Sequence, residues 1–147
     1  MTVRVRFAPS PTGSLHLGNA LTAAGNRRFA DDRGGTLVLR IDDTDATRAV
    51  ADGLEAIVAD LDWLGIAWNE GPVRQSERAT IYADAAATAE REGGARRDAD
   101  GSLRLDGVTL VRPDGTATYQ LATVADDLDM SITHVIRGSD HRPNEAV

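Results

Sequence analysis

The sequence predicts an α/β protein with a doubly wound parallel sheet, and three features of its first half support this prediction. Strand and helix patterns alternate from the N-terminus. The second strand pattern, TLVLRI over Thr36–Ile41, is a nearly continuous apolar run, which is typical of a parallel strand covered on both faces. Two helical patterns then follow in succession. Because parallel strands must be joined by crossovers, the sequence indicates right-handed βαβ units.

The first strand and the first helix enclose a loop rich in proline and glycine. Residues 3–7, VRVRF, alternate apolar residues with arginine and predict a strand. A helix is predicted from about Leu17 to Asp32, because two glycines follow it. The loop belongs to the stretch APSPTGSLHLGNA, from Ala8 to Ala20.

Two more helices are predicted in the middle of the chain. The first ends at Gly65, a typical helix C-cap, and its apolar face consists of Leu54, Ile57, Val58, Leu61 and Leu64. The second begins near Ser76 with the sequence SERATIYADAAATAERE, which has good helix propensity but a weak apolar stripe.

The pattern changes after the third helix. SLRLDGVTLVRPDGTATY contains two Asp-Gly turns between short alternating segments and predicts a β-hairpin insert at about residues 101–117. The helix predicted next has one face formed by Leu121, Val124 and Leu128. ITHVIRG, Ile132–Gly138, predicts a further strand, and Pro143 predicts the first turn of another helix. We expect a single domain over residues 1–147.

Composition limits the possible functions. The 147 residues are 41% hydrophobic, which is enough for one core, and 16 basic against 23 acidic residues give a net charge of -7. This balance argues against a nonspecific polyanion binder. The absence of cysteine excludes disulfides, a cysteine nucleophile and thiolate zinc sites, so no zinc is expected. No apolar stretch approaches the ~18 residues of a membrane span, so we expect a cytoplasmic protein without a membrane partner.

The loop before the first helix has two interpretations. It precedes a helix N-terminus, whose unpaired N–H groups and positive dipole favour an anion such as a phosphate, and His16 could donate to that anion. Alternatively, its prolines only stiffen a connection and His16 is solvated or part of the core. The residues alone leave both open, because the loop matches neither the G-x-G-x-x-G nor the Walker pattern.

Four separated segments resemble the glutamyl-tRNA synthetase family in the order in which that family carries them. They are RFAPSPTGSLHLGNA, LRIDDTD, DLDWLGIAWNEGPVRQSER and TYQLATVADDLDMSITHVIRGSDH. The first contains His16-Leu17-Gly18-Asn19, which is similar to the His-Ile-Gly-His motif of class I aminoacyl-tRNA synthetases. The glutamyl-queuosine tRNA(Asp) synthetases are close relatives of the family and are similar as well.

The resemblance implies a Rossmann-like catalytic domain that activates glutamate with ATP and Mg²⁺ and passes the glutamyl group to tRNA. It implies catalytic roles for His16, Gly18 and Asn19. The ATP-binding residues that it implies are Ala8, Pro9, His16, Gly18, Asn19 and His141. No metal ligand is implied among the side chains.

The resemblance also implies a glutamate pocket formed by Arg6, Ser10, Asp42, Tyr119 and Arg137. Glutamate carries two carboxylates, and a guanidinium offers each of them a fork of donors. Simpler interpretations stay open: Arg6 could alternate outward from its strand, and Tyr119 could be a core aromatic.

Other polar residues of these segments have simpler expectations. We expect Asp43 and Asp45 to form a solvated cap for the following helix. His134 is expected to lie along the sheet without a chemical role, and Arg96 and Arg97 are expected at the surface.

The chain departs from the family pattern at single positions and in larger parts. Asp42 stands where bacterial glutamyl enzymes usually carry Glu, and Thr123 stands where the family often has Asn. The hairpin takes the place of a connective domain that grips tRNA. All basic residues are arginine, so the lysine signature loop has no counterpart, and we expect a domain incomplete at its C-terminus that a downstream or separate chain completes. The alternatives are a non-catalytic module that binds ATP, glutamate or a partner protein, and a ligase for an acceptor other than tRNA.

Overall fold

A computed structural model describes residues 2–45 and 49–138 of the chain. The elements in chain order are β1 (Arg4–Phe7), α1 (Leu17–Asp31), β2 (Thr36–Ile41), α2 (Gly53–Trp63), β3 (Glu70–Arg74), a 3-10 turn (Gln75–Glu77), α3 (Ala79–Arg91), β4 (Arg96–Arg97), β5 (Leu103–Leu105), β6 (Val108–Val111) and α4 (Tyr119–Asp129). The helix predicted at Pro143 lies outside the described residues.

The chain divides into two compact units. The first contains the residues up to Gln75 and the segment that starts at Ser131, and the second contains Ser76–Met130. The hairpin predicted at about residues 101–117 therefore belongs to the second unit. The single domain expected over residues 1–147 stays a prediction.

The first unit is built on a parallel sheet. Its strand order is β1-β2-β3, and both neighbouring pairs are parallel. The α/β class and the parallel sheet predicted from the sequence are confirmed. Strand β3 was not predicted, because its sequence EGPVR contains a glycine and a proline and is largely exposed, so it shows no apolar pattern.

The core of the first unit lies between the sheet and its helices. All of β2 from Leu37 to Ile41 is buried, which explains its continuous apolar run. The buried cluster consists of Val5, Phe7, Ala23, Ala30, Leu37, Leu39, Ile41, Ile57, Leu61 and Ile66. At about 25 cal/mol per Å² of apolar area, this burial is the main term that stabilises the unit.

The strand predicted over Ile132–Gly138 is wrong, since none of these residues lies in a strand. The segment still contacts β1: the Thr133 N–H donates to the Arg4 carbonyl (2.9 Å), and the Arg4 N–H donates to the Thr133 hydroxyl (2.8 Å). A side-chain oxygen thus takes the place of the carbonyl that a β-ladder would offer to Arg4. Threonine competes with the ladder in this way because its hydroxyl lies close to its own backbone.

The second unit contains the antiparallel sheet β4-β5-β6. Strands β5 and β6 are joined through Asp106 and Gly107, whose φ angles of 48° and 84° suit the tight hairpin turn predicted from the Asp-Gly sequence. The second Asp-Gly turn is held by Asp114, which accepts hydrogen bonds from the hydroxyl and N–H of Thr116. These bonds stabilise the carboxylate and lower the pKa of Asp114.

The apolar face predicted for α4 is partly wrong. Leu121 is buried, but Val124 is 51% exposed and Leu128 75% exposed. The buried face is centred on Ala122 and Ala125, which pack against Tyr82 of α3. Small residues let the two helices approach closely, and the larger Val124 and Leu128 lie beyond the margin of that contact.

A buried carboxylate also joins the helices α3 and α4. Asp126 is fully buried and accepts a hydrogen bond from Nε of Arg78 (2.7 Å) and another from the Tyr82 hydroxyl (3.0 Å). Burial alone would lower the pKa of Arg78, but its hydrogen bonds to Asp129 and Asp126 outweigh burial and raise it. The charged pair is therefore stable inside the unit.

We predict that Asp126→Ala lowers the free energy of unfolding by about 2–3 kcal/mol, because it removes the buried acceptor shared by Arg78 and Tyr82, while Asp129 still pairs with Arg78. Tyr82→Phe removes one hydrogen bond and should cost about 1 kcal/mol. Urea denaturation followed by circular dichroism measures both losses. Equal losses for the two variants would contradict the assignment of Asp126 as the central acceptor.

Candidate functional site

The loop between β1 and α1 is fixed by backbone hydrogen bonds. The Pro9 carbonyl accepts from the N–H of Asp42 (3.0 Å), and the Pro11 carbonyl accepts from the N–H of Val50 (3.0 Å). The Leu15 N–H donates to the Asp60 carboxylate of α2 (2.6 Å). Three contacts to the segment after β2 and to α2 thus hold the loop before helix α1 begins.

Close packing between the loop and α2 requires a glycine. A Cβ at Gly53, the first residue of α2, would lie 2.4 Å from the Pro11 carbonyl oxygen. The loop itself turns at Gly13, whose φ of 119° is accessible mainly to glycine. The loop conformation therefore depends both on prolines, whose backbone is rigid, and on glycines, whose backbone can adopt angles that other residues avoid.

Helix α1 begins directly after this loop. His16 is its N-cap residue, with extended backbone and an exposed side chain that makes no capping hydrogen bond. Gly18 and Asn19 are exposed, and the first turn contains no acidic residue. The first N–H groups of a helix have no intrahelical partner and form the positive end of its dipole. An anion such as a phosphate therefore suits this position.

Arg6 lies in β1, one residue before the strand ends, and is only 4% exposed. It is thus buried rather than solvated on the outer side of the strand. Ala8 and Pro9 continue the chain into the loop, and Ser10 is exposed. These residues lie at the carboxyl edge of β1, which is where open parallel sheets bind ligands.

A buried ion pair lies at the carboxyl end of β2. Arg40 is fully buried, and its Nε and Nη2 donate to the two carboxylate oxygens of Asp42 at 2.7 and 3.2 Å. The two side chains point the same way because residues two apart share one face of a strand. Sequence analysis missed Arg40, although an arginine inside an apolar strand is a signal, since buried arginines are almost always paired.

Asp43 is not the solvated helix cap that was expected. It is buried, and its carboxylate accepts from Nε of Arg74 at 2.9 Å. Arg74 ends β3, the neighbour of β2, so parallel pairing brings the two ends together. Asp45 is exposed, as a solvated residue would be.

The remaining predicted residues lie in both units. Arg137 is half-buried and belongs to the first unit, as do Arg6, Ser10, His16 and Asp42. Tyr119 is half-buried and belongs to the second unit, where it is the first residue of α4. His141 lies outside the described residues.

Residues without a predicted role are placed as follows. Thr123 is buried, and its hydroxyl has no hydrogen-bond partner within the described part of the chain. Arg96 and Arg97 are exposed, as expected. His134 is exposed and lies beside the ring of Phe29, with 5.1 Å between ring centroids.

Comparison with known proteins identifies the family. The family model for the catalytic domain of class I tRNA synthetases (E and Q) matches residues 2–106 and 99–147. The chain belongs to this family. Its α/β fold is thus the catalytic fold of class I synthetases.

Curated relatives of this class I synthetase chain include two glutamate–tRNA ligases. The chain is 46% identical over 169 residues to glutamate–tRNA ligase 1 of Rubrobacter xylanophilus, covering 97% of this chain and 39% of that protein. It is 40% identical over 199 residues to the enzyme of Frankia casuarinae, covering 97% of this chain and 42% of that protein. The chain thus spans less than half the length of these relatives.

Solved structures of the same family superpose on nearly the whole chain. A glutamate–tRNA synthetase from Elizabethkingia anophelis has a TM-score of 0.82 at 30% identity, and the match covers 99% of this chain and 46% of the synthetase chain. A glutamate tRNA ligase from Elizabethkingia meningosepticum, in complex with its amino acid, has a TM-score of 0.80 at 30% identity. This match covers 99% of this chain and 45% of the ligase chain.

We predict that Gly53→Ala destabilises the loop, because the new Cβ meets the Pro11 carbonyl, a backbone atom with little freedom to move. A loss of about 1–3 kcal/mol is the scale for such overpacking. Gly25→Ala is the matched control, since its Cβ would lie 3.9 Å from the nearest atom, a side-chain carbon of Ile136. This control should be neutral or stabilising. Thermal unfolding of both variants checks the prediction, and equal melting temperatures would refute it.

We predict strong coupling between Arg40 and Asp42. Arg40→Met removes the buried cation that donates twice to the Asp42 carboxylate and should cost about 3–5 kcal/mol. Combining it with Asp42→Asn should cost less than the sum of the single changes, because both remove the same interaction. A double-mutant cycle in urea measures the coupling, and additive losses would show that the pair does not interact.

Proposed function

We propose that this chain forms part of a glutamate–tRNA ligase, an aminoacyl-tRNA ligase that activates glutamate with ATP and transfers it to tRNA. The observation that carries the proposal is the fixed loop at the α1 N-terminus beside the buried Arg6, in a chain whose relatives are glutamate–tRNA ligases. An anion site next to a buried cation suits a substrate pair in which both ATP and glutamate are anionic.

The ATP phosphates would bind at the loop and the first turn of α1. Ala8 and Pro9 would contact the nucleotide through the backbone, since neither has a polar side chain. His16, Gly18 and Asn19 would face the phosphates, with the exposed imidazole donating to a phosphate oxygen. His141, which also resembles an ATP-binding residue, would complete the set.

Glutamate would be held by groups of opposite charge. Arg6 and Arg137 would each bind one carboxylate, because the guanidinium fork matches a carboxylate bidentately. Asp42 would face the ammonium group, and Ser10 would add a hydroxyl donor. Tyr119 belongs to the second unit, and its assignment to glutamate binding stays a prediction from the resemblance. The bidentate pair with Arg40 orients Asp42 in this proposal, and a carboxylate retains lone pairs for a second donor.

In the activation step, a glutamate α-carboxylate oxygen attacks the α-phosphorus of ATP. A bond forms between this oxygen and the α-phosphorus. The bond between the α-phosphorus and the oxygen that bridges to the β-phosphate breaks, and pyrophosphate leaves with the electron pair of that bond. Catalysis then consists of positioning the two substrates and stabilising charge as it develops. His16 and the N–H groups of α1 are the donors that would stabilise this charge.

Magnesium would arrive with the nucleotide. The described residues include no group of three or more His, Cys, Asp or Glu side chains that could hold a metal ion. A Mg²⁺ bound mainly by phosphates and water fits this finding, since Mg²⁺ usually keeps several waters.

The acceptor in this proposal is tRNA, bound mainly by parts of the enzyme outside these residues. The net charge of -7 makes this chain a poor partner for a polyanion. The chain contains no lysine, so a cation for the departing pyrophosphate would be an arginine or come from elsewhere in the enzyme. In the described residues, no helix is long and apolar enough to cross a membrane.

We predict weak binding of ATP and glutamate to this chain and slow glutamate-dependent pyrophosphate exchange. His16→Ala should lower exchange by about 100-fold, the scale of one charge-stabilising donor. Arg6→Ala should lower it similarly by weakening glutamate binding. Exchange of labelled pyrophosphate into ATP, together with calorimetry of each ligand, measures these effects.

Arg28→Ala is the control for this experiment, since the Arg28 side chain is 85% exposed and its ion pair with Asp32, within the described part of the chain, is a long one at 3.8 Å. It should leave exchange and binding unchanged. Unchanged exchange in His16→Ala and Arg6→Ala would show that the site is wrongly assigned. Binding of both ligands without any exchange would instead favour a non-catalytic binding module.

A further inference from the structure

The segment that carries Arg137 is held at two points rather than by a β-ladder. The first point is Thr133, whose N–H and hydroxyl both bond to Arg4 of β1. The second is the Ile136 carbonyl, which accepts a hydrogen bond from the side-chain amide of Asn26 in α1 at 3.0 Å. No ladder sets the conformation of residues 132–138, so these hydrogen bonds help to determine the backbone position from which Arg137 extends.

The second point acts directly on Arg137. The Ile136 carbonyl and the Arg137 N–H belong to one planar peptide unit, so a bond to the carbonyl fixes the plane from which Arg137 extends. The Asn26 Nδ2 also donates to the Thr22 carbonyl at 2.9 Å, which holds the amide against its own helix. Both partners are carbonyl oxygens, so the amide nitrogen must be the atom that faces them. Asn26 therefore links a rigid helix to this peptide.

Asn26 is an unfavourable residue for a purely structural position. It is fully buried, and its Oδ1 has no hydrogen-bond partner among the described residues. A buried acceptor left without a donor costs free energy, and an aliphatic side chain here would avoid that cost at Oδ1 only by withdrawing the donor from the Ile136 carbonyl. Such an atom calls for an explanation, and the bond to Ile136 supplies one.

Helix α1 connects the two halves of the proposed site. His16 lies at its N-terminus and Asn26 ten residues later, about 15 Å along the axis at 1.5 Å per residue. The same rigid element thus begins at the phosphate side and holds the segment of the glutamate side. The Ile136 side chain also packs against the buried cluster of the first unit.

We propose that Asn26 is a positioning residue that orients Arg137 for binding a glutamate carboxylate. This inference rests on the proposed function only for the identity of the ligand. Asn26 does not touch the substrate in this proposal, and its effect passes through the Ile136–Arg137 peptide. Its loss should therefore weaken glutamate binding and leave ATP binding unchanged.

The test compares Asn26→Leu, Arg137→Ala and the double variant in the 147-residue chain. Calorimetry measures the Kd for glutamate and for ATP, and hydrogen exchange measures protection of the Arg137 amide. We expect Asn26→Leu to raise the glutamate Kd about fivefold, the scale of one net hydrogen bond, with an unchanged ATP Kd. In the Arg137→Ala background, Asn26→Leu should have no further effect, because the residue that it positions is gone.

Asn69→Leu is the matched control. Asn69 also uses its side-chain amide to hold the first unit together, accepting from the Leu37 N–H (2.8 Å) and from Arg27 (2.9 Å). Its loss should lower stability and leave the glutamate Kd unchanged. If Asn26→Leu does not fold, Asn26→Ser, which is smaller and polar, serves as the second variant.

The outcomes separate this inference from the proposed function. An unchanged glutamate Kd in a folded Asn26 variant, or an equal rise in Asn69→Leu, overturns the inference while glutamate binding by the unmodified chain stands. If the unmodified chain does not bind glutamate but Arg137 amide exchange rises at least fivefold in Asn26→Leu, positioning is supported and the proposed ligand is wrong. If neither binding nor exchange changes, Asn26 does not position Arg137.

Discussion

The conformation of the β1–α1 loop depends on two proline carbonyls. Pro9 and Pro11 cannot donate backbone hydrogen bonds, yet their carbonyls accept from Asp42 and Val50. The prolines therefore act as fixed acceptors, and the chain that follows β2 supplies the donors. Everything proposed for the helix N-terminus requires this arrangement, because an anion site on a mobile loop would lose affinity each time it had to be ordered.

Ion pairs with a buried carboxylate are the second constraint on the fold. Asp43 pairs at the end of β3 with Arg74, whose side chain is 43% exposed, and Asp126 pairs with Arg78 between two helices. The Arg40–Asp42 pair at the carboxyl end of β2 is buried on both sides. Replacing such a pair by well-packed apolar residues is often neutral or stabilising. At a sheet edge, such a pair therefore serves the orientation of its side chains more than stability. The ion pair between Arg78 and Asp126 fixes in the same way how α3 and α4 align, since the residues of α4 at their contact are small.

The sequence predicted the regular parts of the fold for physical reasons that can be named. The apolar run of β2, the amphipathic α2 with Gly65 at its end, and the Asp-Gly hairpin each follow from periodicity or turn chemistry. Strand β3 could not be predicted, because EGPVR lies at an edge and has no apolar face. The strand expected over Ile132–Gly138 failed because Thr133 offers its hydroxyl in place of a ladder carbonyl. Tertiary contacts decided both cases.

The site shows the same division between local pattern and tertiary contact. The loop and the helix that follows it could be predicted from local sequence, whereas the place of Asp42 in a glutamate pocket stays a prediction from the family resemblance. Arg40 left a signal inside an apolar strand, with its partner Asp42 only two residues away, and that signal was missed. Asn26 could not be found in that way, since its partner was defined only once the segment at Ile136 was in place. Asp43 was misjudged for a related reason: a carboxylate next to a helix start reads as a cap until the neighbouring strand brings Arg74 beside it.

The exclusive use of arginine has a consequence for the response of the chain to pH. A guanidinium stays protonated throughout the alkaline range, and the pKa of Arg4 and that of Arg78 are raised further by their carboxylate partners. Only the acidic partners titrate. The hydrogen bond from Arg4 lowers the pKa of Glu70, so this pair contributes fully above the ordinary carboxyl pKa and is lost as pH falls through the lowered value. The Arg4–Glu70 pair is thus sensitive to acid and indifferent to base.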